Sequence, residues 1–185
     1  MVIIGITGTL GAGKGTVVEY LVKKKDFKHF SARDFLVEEI ERRGLEVNRD
    51  NMVMVANELR SENSPSYVAD KLFEKAVESG GNCVIESLRT VGEIESLRKK
   101  GNFILLAIDA DPKLRYERIV ERKSSTDNVS FEEFLSNEKR EMDNSDPNKQ
   151  NLRKCIEMAD SLIDNNGSLE DLNSKIEEIL KAVNI

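Results

Sequence analysis

Short apolar runs alternate with longer amphipathic segments along this chain. Residues 2–6 read Val-Ile-Ile-Gly-Ile, which is too short and too continuously apolar for a surface helix. This run therefore predicts a strand that is buried on both faces. Apolar runs at 83–85, 103–108 and 161–163 predict three more strands, and residues 28–31 are predicted to form a brief second strand. Because segments with helical periodicity separate these runs, the pattern predicts an α/β fold with a parallel sheet.

Helices are predicted between the strands from apolar spacing and from the residues that start and stop helices. The segment 50–79 is predicted to be helical with a break near Pro65, because proline lacks the N–H that a helix interior needs. Pro112 is predicted to open another helix, since its missing N–H costs nothing at the first helical position. A polar stretch at 124–128 is predicted to be an exposed loop before a helix at 131–142.

A glycine-rich segment connects the first predicted strand to the helix that follows it. It reads Gly8-Thr9-Leu10-Gly11-Ala12-Gly13-Lys14-Gly15-Thr16. Glycines let the backbone curl so that successive N–H groups converge on phosphate oxygens, and the helix N-terminus adds a partial positive charge. Lys14 is predicted to reach the β and γ phosphates, and Thr16 to offer its hydroxyl to Mg²⁺. The segment therefore predicts a phosphate-binding P-loop.

This loop departs from the strict P-loop pattern at one position. Gly15 stands where Ser or Thr usually follows the lysine, and Thr16 comes one residue later. The alternative is an ordinary glycine-rich turn, which four glycines within residues 8–15 disfavour.

Charged residues follow the second and third predicted strands. Arg33 is predicted to be a substrate-side cation, and Asp34 to accept a hydroxyl proton. The alternative for Asp34 is that it only helps to begin a helix. Glu86 is predicted to hold Mg²⁺ directly or through water, and Arg89 to contact a second phosphate-bearing substrate. The alternative for Glu86 is an ordinary surface acid.

Three arginines follow the fourth predicted strand. Arg115, Arg118 and Arg122 fall at positions i, i+3 and i+7, which lie on one face of a helix. Arginines facing a P-loop neutralise charge on a moving phosphoryl group, so this face is predicted to serve phosphoryl transfer. The alternative is a solvated basic face that pairs with Glu117 and Glu121.

These motifs resemble those of nucleoside monophosphate kinases, with adenylate-kinase-like and dephospho-CoA-kinase-like proteins as the most similar branches. The loop ending at 13–16, Gly-Lys-Gly-Thr, is similar to theirs. Segment 31–34 takes the place of their substrate-binding segment, and 85–89 that of a strand ending in an acid with an arginine after it. Segment 114–122 is similar to their arginine-bearing helix that enters the lid.

The resemblance implies a single P-loop kinase domain over residues 1–185. Its fold would be a three-layer α/β sandwich, with a five-stranded parallel sheet of order 2-3-1-4-5 between helices. The resemblance also implies a substrate-binding helical region around 34–75 and a short lid around 123–140. Segment 164–168 resembles the part of these kinases near the nucleotide base, which adds Gly167 to the predicted nucleotide site.

Charge and composition exclude several other classes of protein. The chain has 28 Lys and Arg against 34 Asp and Glu, a net charge of −6, which disfavours a protein that coats nucleic acid. Two distant cysteines and a single histidine disfavour zinc sites and histidine-based catalytic triads. No apolar stretch approaches the roughly 20 residues of a membrane helix, and no signal peptide is evident. We therefore expect a cytoplasmic protein.

Together these features predict an ATP- and Mg²⁺-dependent kinase that moves the γ-phosphoryl group of ATP to a nucleotide or nucleotide-like acceptor. It is expected to be a monomer or weak homo-oligomer, with no nucleic-acid or membrane partner. Two alternatives stay open: dephospho-CoA-kinase-like phosphorylation of a ribose hydroxyl, and a non-kinase ATP-dependent switch or assembly ATPase.

The predicted site residues fall into four groups. The catalytic candidates are Lys14, Asp34, Arg118 and Arg122. The nucleotide-binding candidates are Gly8, Gly11, Ala12, Gly13, Lys14, Gly15, Thr16 and Gly167. The substrate-binding candidates are Arg33 and Arg89, and the metal-ligand candidates are Thr16 and Glu86.

Overall fold

Five parallel strands form the centre of the fold in a computed structural model, which describes residues 1–122 and 129–185. The strands are β1 Val2–Gly8, β2 Lys28–Ser31, β3 Cys83–Glu86, β4 Asn102–Asp109 and β5 Ser161–Asp164. Their order in the sheet is β2-β3-β1-β4-β5, and each pairs in parallel with its neighbours. The predicted fold class and strand order are confirmed.

Strand β1 lies in the middle of the sheet and is covered on both faces. Its Gly5 pairs with Ile85 of β3 on one side and with Leu105 of β4 on the other. Ile3 and Ile4 point to opposite faces, and each is only 1% exposed. Continuous burial of successive residues explains why this strand reads as an unbroken apolar run.

Helices cover both faces of the sheet. Within the described part of the chain they are α1 Lys14–Lys25, α2 Ala32–Arg42, α3 Arg49–Glu62, α4 Tyr67–Ser79, α5 Val91–Lys99, α6 Pro112–Arg122, α7 Phe131–Met142, α8 Leu152–Glu157 and α9 Leu169–Ala182. One buried cluster joins the sheet to α2–α5 and α8, and a second joins it to α1 and α9. None of the described helices is long and apolar enough to cross a membrane.

The helical region between β2 and β3 agrees with its predicted outline. The chain breaks between α3 and α4 around Pro65, as proline requires. Helix α8 was not predicted from the sequence. It has six residues, and only Leu152 and Cys155 are buried, which is too short a pattern to reveal helical periodicity.

The predicted lid at 123–140 is described only in part. Residues 123–128 lie outside the described residues, and the remainder is largely helix α7. Helix α7 packs against α6 through aromatic rings: the centroid of Tyr116 lies 5.1 Å from that of Phe131 and 5.7 Å from that of Phe134. These contacts fix α7 beside the arginine-bearing helix.

Candidate functional site

One cavity of about 810 Å³ lies beyond the carboxyl ends of the central strands. The strand order reverses around β1, and a crevice at such a point is where open parallel sheets bind ligands. The predicted residues that line it are Gly11, Gly13, Lys14, Gly15, Thr16, Arg33, Glu86, Arg89, Arg118, Arg122 and Gly167. Folding therefore collects most of the predicted set around one space.

The glycine-rich loop forms one wall of this cavity, called here the loop side. Gly11 and Gly13 line it with φ angles of +79° and +98°, a conformation that favours glycine. Gly13 is the N-cap of α1 and supplies no side-chain cap, whereas Ser31 caps α2 and Asn48 caps α3. The first-turn N–H groups of α1 are therefore available to an anion in the cavity.

Gly8 and Ala12 have structural positions behind this wall, and neither lines the cavity. A Cβ on Gly8 would lie 2.0 Å from the carbonyl oxygen of Ile108, so the loop can approach β4 only with glycine there. Ala12 is fully buried. Both residues shape the loop from beneath.

Lys14 lies across the loop. Its Nζ donates hydrogen bonds to the carbonyl oxygens of Gly8, at 2.9 Å, and Thr9, at 2.7 Å. Burial and the nearby positive charge of Arg89 lower the pKa of Lys14 to about 7, although Glu86 acts in the opposite direction. The lysine is therefore poised to gain a proton when negative charge enters the cavity.

Asn165, just after β5, connects the loop to the far end of the chain. Its Nδ2 donates to the carbonyl oxygen of Ala12 at 2.8 Å, and its backbone N–H donates to Asp109 at 2.8 Å. Its own carbonyl oxygen accepts a hydrogen bond from Nη2 of Arg118 at 2.9 Å. Nη1 of Arg118 is buried without a hydrogen-bond partner among the described residues. A ligand oxygen would satisfy that group.

The three arginines of α6 do not all face the cavity. Arg118 and Arg122 line the cavity, but Arg115 is 2% exposed and does not. Its Nε donates to the carbonyl oxygen of Ala110 at 2.8 Å, and its Nη2 binds Glu138 of α7 at 3.0 Å. Arg115 thus joins α6 to α7, pairing with a distant acid that the sequence spacing did not indicate.

Glu86 ends β3 at the cavity wall, close to His29 of β2. The His29 Nε2 lies 3.5 Å from Oε1 of Glu86. Burial acts to raise the pKa of Glu86, but His29, Lys14 and Ser31 hold it below its ordinary value. Glu86 therefore stays ionised beside the loop.

Residues 1–122 and 129–185 contain no cluster of three or more His, Cys, Asp or Glu side chains arranged to hold a metal ion. The two predicted metal ligands, Thr16 and Glu86, both line the cavity. An oxygen pair of this kind fits Mg²⁺ that takes its other ligands from phosphates and water.

Asp34 is the predicted catalytic residue that the structure does not bring to the cavity. It is exposed in the first turn of α2, where its backbone N–H donates to Oγ of Ser31 at 3.1 Å. Arg33, its neighbour, does line the cavity. One residue along a helix turns the side chain by about 100°, which is enough to separate the two.

Another part of the cavity lining, called here the α3 side, contains residues that sequence reasoning missed. Helix α3 presents one stripe to the cavity, made of Arg49, Met52, Val53, Ala56 and Arg60. Their spacing is helical, with an arginine at each end of an apolar middle. That spacing was a signal in the sequence, whereas no local signal marks Glu141 and Gln150, which also line this side.

Two arginines of the α3 side share one carboxylate. Nη2 of Arg49 lies 2.6 Å from Oε1 of Glu141, and Nη1 of Arg89 lies 2.6 Å from Oε2 of the same residue. Nη1 of Arg89 also donates to Oε1 of Gln150 at 2.9 Å. Burial acts to raise the pKa of Glu141, but Arg89 and Arg49 hold it below its ordinary value.

A second carboxylate orders the loop that carries Arg89. Oε2 of Glu93 accepts the backbone N–H groups of Arg89, at 2.8 Å, and Thr90, at 3.1 Å. Its Oε1 accepts Nη2 of Arg60 at 3.1 Å, in a pair that is almost wholly buried. The position of Arg89 is thus fixed through both its backbone and its side chain.

Comparisons with known proteins agree with this architecture. A model of the AAA domain family matches residues 4–143. A UPF0200/UPF0201 protein of Archaeoglobus fulgidus is 33% identical over 97% of this chain, although the chain spans only 55% of that relative's length. A UPF0200 protein of Methanocaldococcus jannaschii is 30% identical over 99% of the chain and 91% of the relative.

A solved shikimate kinase from Bacteroides thetaiotaomicron superposes with a TM-score of 0.60, covering 100% of this chain and 99% of that one. The sequence identity is 13%, so the likeness shows the fold alone. The fold is that of the P-loop kinases, in agreement with the resemblance found in the sequence.

Proposed function

We propose that this chain, which belongs to the AAA domain family and, with its archaeal relatives, to the UPF0200 proteins, is a phosphotransferase. It uses ATP and Mg²⁺, and its acceptor is a nucleotide or nucleotide-like molecule. The observation that carries the proposal is one cavity lined both by the glycine-rich loop and by arginines that other elements supply. ATP and a phosphorylated acceptor are both anionic, so an enzyme that brings them together needs positive groups for each of them.

On the loop side, the first-turn N–H groups of α1 and the Lys14 ammonium bind the β and γ phosphates. Thr16 and Glu86 hold Mg²⁺, which when bound neutralises charge on the phosphate oxygens. Arg118 and Arg122 approach from α6, and the unpartnered Nη1 of Arg118 supplies a donor. Gly167 also lines the cavity, and in this proposal it lies near the nucleotide base.

On the α3 side, Arg33 and Arg89 bind the acceptor and orient its attacking oxygen. The acceptor oxygen forms a bond to the γ-phosphorus while the bond from that phosphorus to the β,γ-bridging oxygen breaks, and the bridging oxygen leaves with ADP. The chain contributes positioning and charge neutralisation, which dominate phosphoryl transfer.

A ribose hydroxyl is the second candidate acceptor, and with it Glu86 would accept the hydroxyl proton instead of holding Mg²⁺. A hydroxyl acceptor must lose its proton, and Glu86 is an ionised carboxylate at the cavity wall next to Lys14. Asp34 was predicted for this role from the sequence. It is exposed and does not line the cavity, so it could take this role only if α2 moved toward the acceptor.

A coupled ADP-release assay tests the proposed function. ATP and Mg²⁺ are supplied with AMP, GMP, CMP, UMP or dephospho-CoA in turn, and the product is identified by mass. We expect one acceptor class to raise ADP release well above the acceptor-free rate and to gain one phosphoryl group. Turnover of ATP that no acceptor stimulates would contradict a small-molecule kinase and favour an ATP-dependent switch.

A further inference from the structure

The shared carboxylate of Glu141 places two arginines at a fixed distance in the cavity wall. Arg49 is the first residue of α3 and Arg89 follows β3, so different elements carry them. Each donates to a different oxygen of Glu141, which is only 4% exposed near the end of α7. Because a carboxylate has a rigid planar shape, the two guanidinium groups are spaced by it.

Both arginines keep donors for a ligand. Arg89 binds Glu141 and Gln150 through Nη1 alone, which leaves its Nε and Nη2 without partners within the described ranges. Nε of Arg49 is buried and likewise has no partner among residues 1–122 and 129–185. The unsatisfied buried Nε of Arg49 is costly, and Arg89 lines the cavity, so a ligand oxygen that reached both would be bound strongly.

The charges of this cluster favour an anion. Two guanidinium groups surround one carboxylate, which leaves one net positive charge in a half-buried wall, and Arg33 lines the same cavity. Without Glu141 the two arginines would repel each other and lose their common orientation. A phosphate group has the charge and the several acceptor oxygens that such a pair of arginines recognises.

We propose that Arg49 and Arg89 form a clamp for the 5′-phosphate of a nucleoside monophosphate, and that Glu141 is the positioning residue that sets the clamp. This inference rests on the proposed function for its choice of ligand, and it adds Arg49 and Glu141 to the acceptor site. Helix α7, which carries Glu141, thereby becomes part of acceptor recognition.

The substitution Glu141→Gln separates positioning from simple charge. If Glu141 only lowered the positive charge of the wall, its neutralisation would strengthen the binding of an anion. If it positions the clamp, the same substitution weakens binding although the wall becomes more positive. The two accounts therefore predict changes of opposite sign.

Isothermal titration with AMP, GMP, CMP and UMP measures the dissociation constants of the wild type, Glu141→Gln and the matched control Glu138→Gln. Glu138 lies on the same helix and is also ion-paired, but it does not line the cavity. We expect at least one nucleotide to bind the wild type, about tenfold weaker binding by Glu141→Gln, and a change within about twofold for Glu138→Gln.

The variant Arg49→Lys covers the case in which Glu141→Gln fails to fold. Lysine keeps the charge and the pairing with Glu141 but lacks the planar set of donors, so we expect about fivefold weaker binding. Unchanged or tighter nucleotide binding in the folded variants, or no binding of any of the four nucleotides to the wild type, would overturn the clamp.

The clamp and the proposed function fail in distinguishable ways. Nucleotide binding that depends on Glu141, without any phosphoryl transfer, would leave the clamp standing and contradict the kinase. Transfer to a nucleotide whose KM is unchanged in Glu141→Gln would contradict the clamp and leave the kinase standing.

Discussion

The two sides of the cavity are built in different ways. The loop side comes mainly from one stretch, residues 8–16, six of which line the cavity and whose backbone conformation is set by glycines at 8, 11 and 13. The α3 side collects Arg33, Arg49, Arg89 and Glu141 from four separate parts of the chain. A site made from neighbouring residues can be recognised in a sequence, whereas a site made by tertiary contact needs the fold.

The two sides also differ in how their charges are arranged. On the loop side the N–H groups at the start of α1 have no side-chain cap, and Lys14 donates only to uncharged carbonyl oxygens. On the α3 side Glu141 and Glu93 already engage Arg49, Arg89 and Arg60. Among the described residues Lys14 therefore has no ion-pair partner, whereas these three arginines of the α3 side are already paired with carboxylates. Substitutions on the two sides should therefore have separable effects.

The largest effect is expected from Lys14→Ala on the loop side. Loss of the ammonium removes a charge that stabilises the transferring phosphoryl group, so kcat/KM for ATP should fall by about a thousandfold. Steady-state ADP release measures the loss, and circular dichroism checks that the variant is folded.

Lys24→Ala is the matched control for this prediction, because Lys24 is exposed on the same helix and does not line the cavity. It should behave as the wild type. Near-normal transfer by a folded Lys14→Ala variant would show that the loop side is not where ATP chemistry occurs.

An intermediate effect is expected from Arg33→Ala on the α3 side. The apparent KM of the acceptor should rise by about tenfold while the KM of ATP stays the same, since one charge-assisted contact is lost. Arg42→Ala makes the same change at an exposed position of α2, where the arginine pairs with Glu39. If Arg33→Ala raises only the KM of ATP, the assignment of the two sides is reversed.

The smallest effect is a proton taken up on ATP binding. In the empty protein Lys14 has a pKa of about 7, so at pH 8 it is mostly neutral. Triphosphate charge favours its protonated form, and binding should therefore take up as much as about one proton at pH 8 and weaken as pH rises above 7. Calorimetry in two buffers of different ionisation enthalpy measures the uptake.

Lys14→Ala should abolish this uptake, whereas Arg33→Ala should preserve it. The folding stability of the empty protein depends on pH with the opposite sign to ATP binding. Unfolded Lys14 keeps its proton up to its ordinary pKa of 10.5, whereas folded Lys14 loses it near pH 7, so the free energy of unfolding rises with pH between these two values. An uptake that is unaltered in Lys14→Ala would assign the proton to another group.

The fold follows from the sequence because its signals are local. The five predicted strands and the break near Pro65 mark elements that form where they were predicted. Helix α8 was missed because six residues hold too few apolar positions to show a period. Strands of four residues were predicted nonetheless, because they need no helical period to be recognised.

The site was predicted less evenly. The loop, Glu86, Arg89, Arg118 and Arg122 reach the cavity because the ends of strands and one helix face determine where they lie. Other placements depended on contacts distant in sequence. Arg115 turned inward to Glu138, 23 residues away, and Glu141 meets Arg49 across 92 residues. No local sequence pattern indicates that Arg115 pairs with Glu138 or that Arg49 pairs with Glu141.

Asn165 connects the glycine-rich loop, which the sequence shows directly, with a part of the chain that only folding brings near it. A Cβ on Gly13 would lie 2.3 Å from Nδ2 of Asn165, which is itself needed by the carbonyl oxygen of Ala12. Position 13 therefore requires glycine on two grounds, its φ angle of +98° and the space that the Asn165 side chain occupies. The AAA domain match ends at residue 143, so this constraint ties the family's most recognisable motif to a segment outside that match.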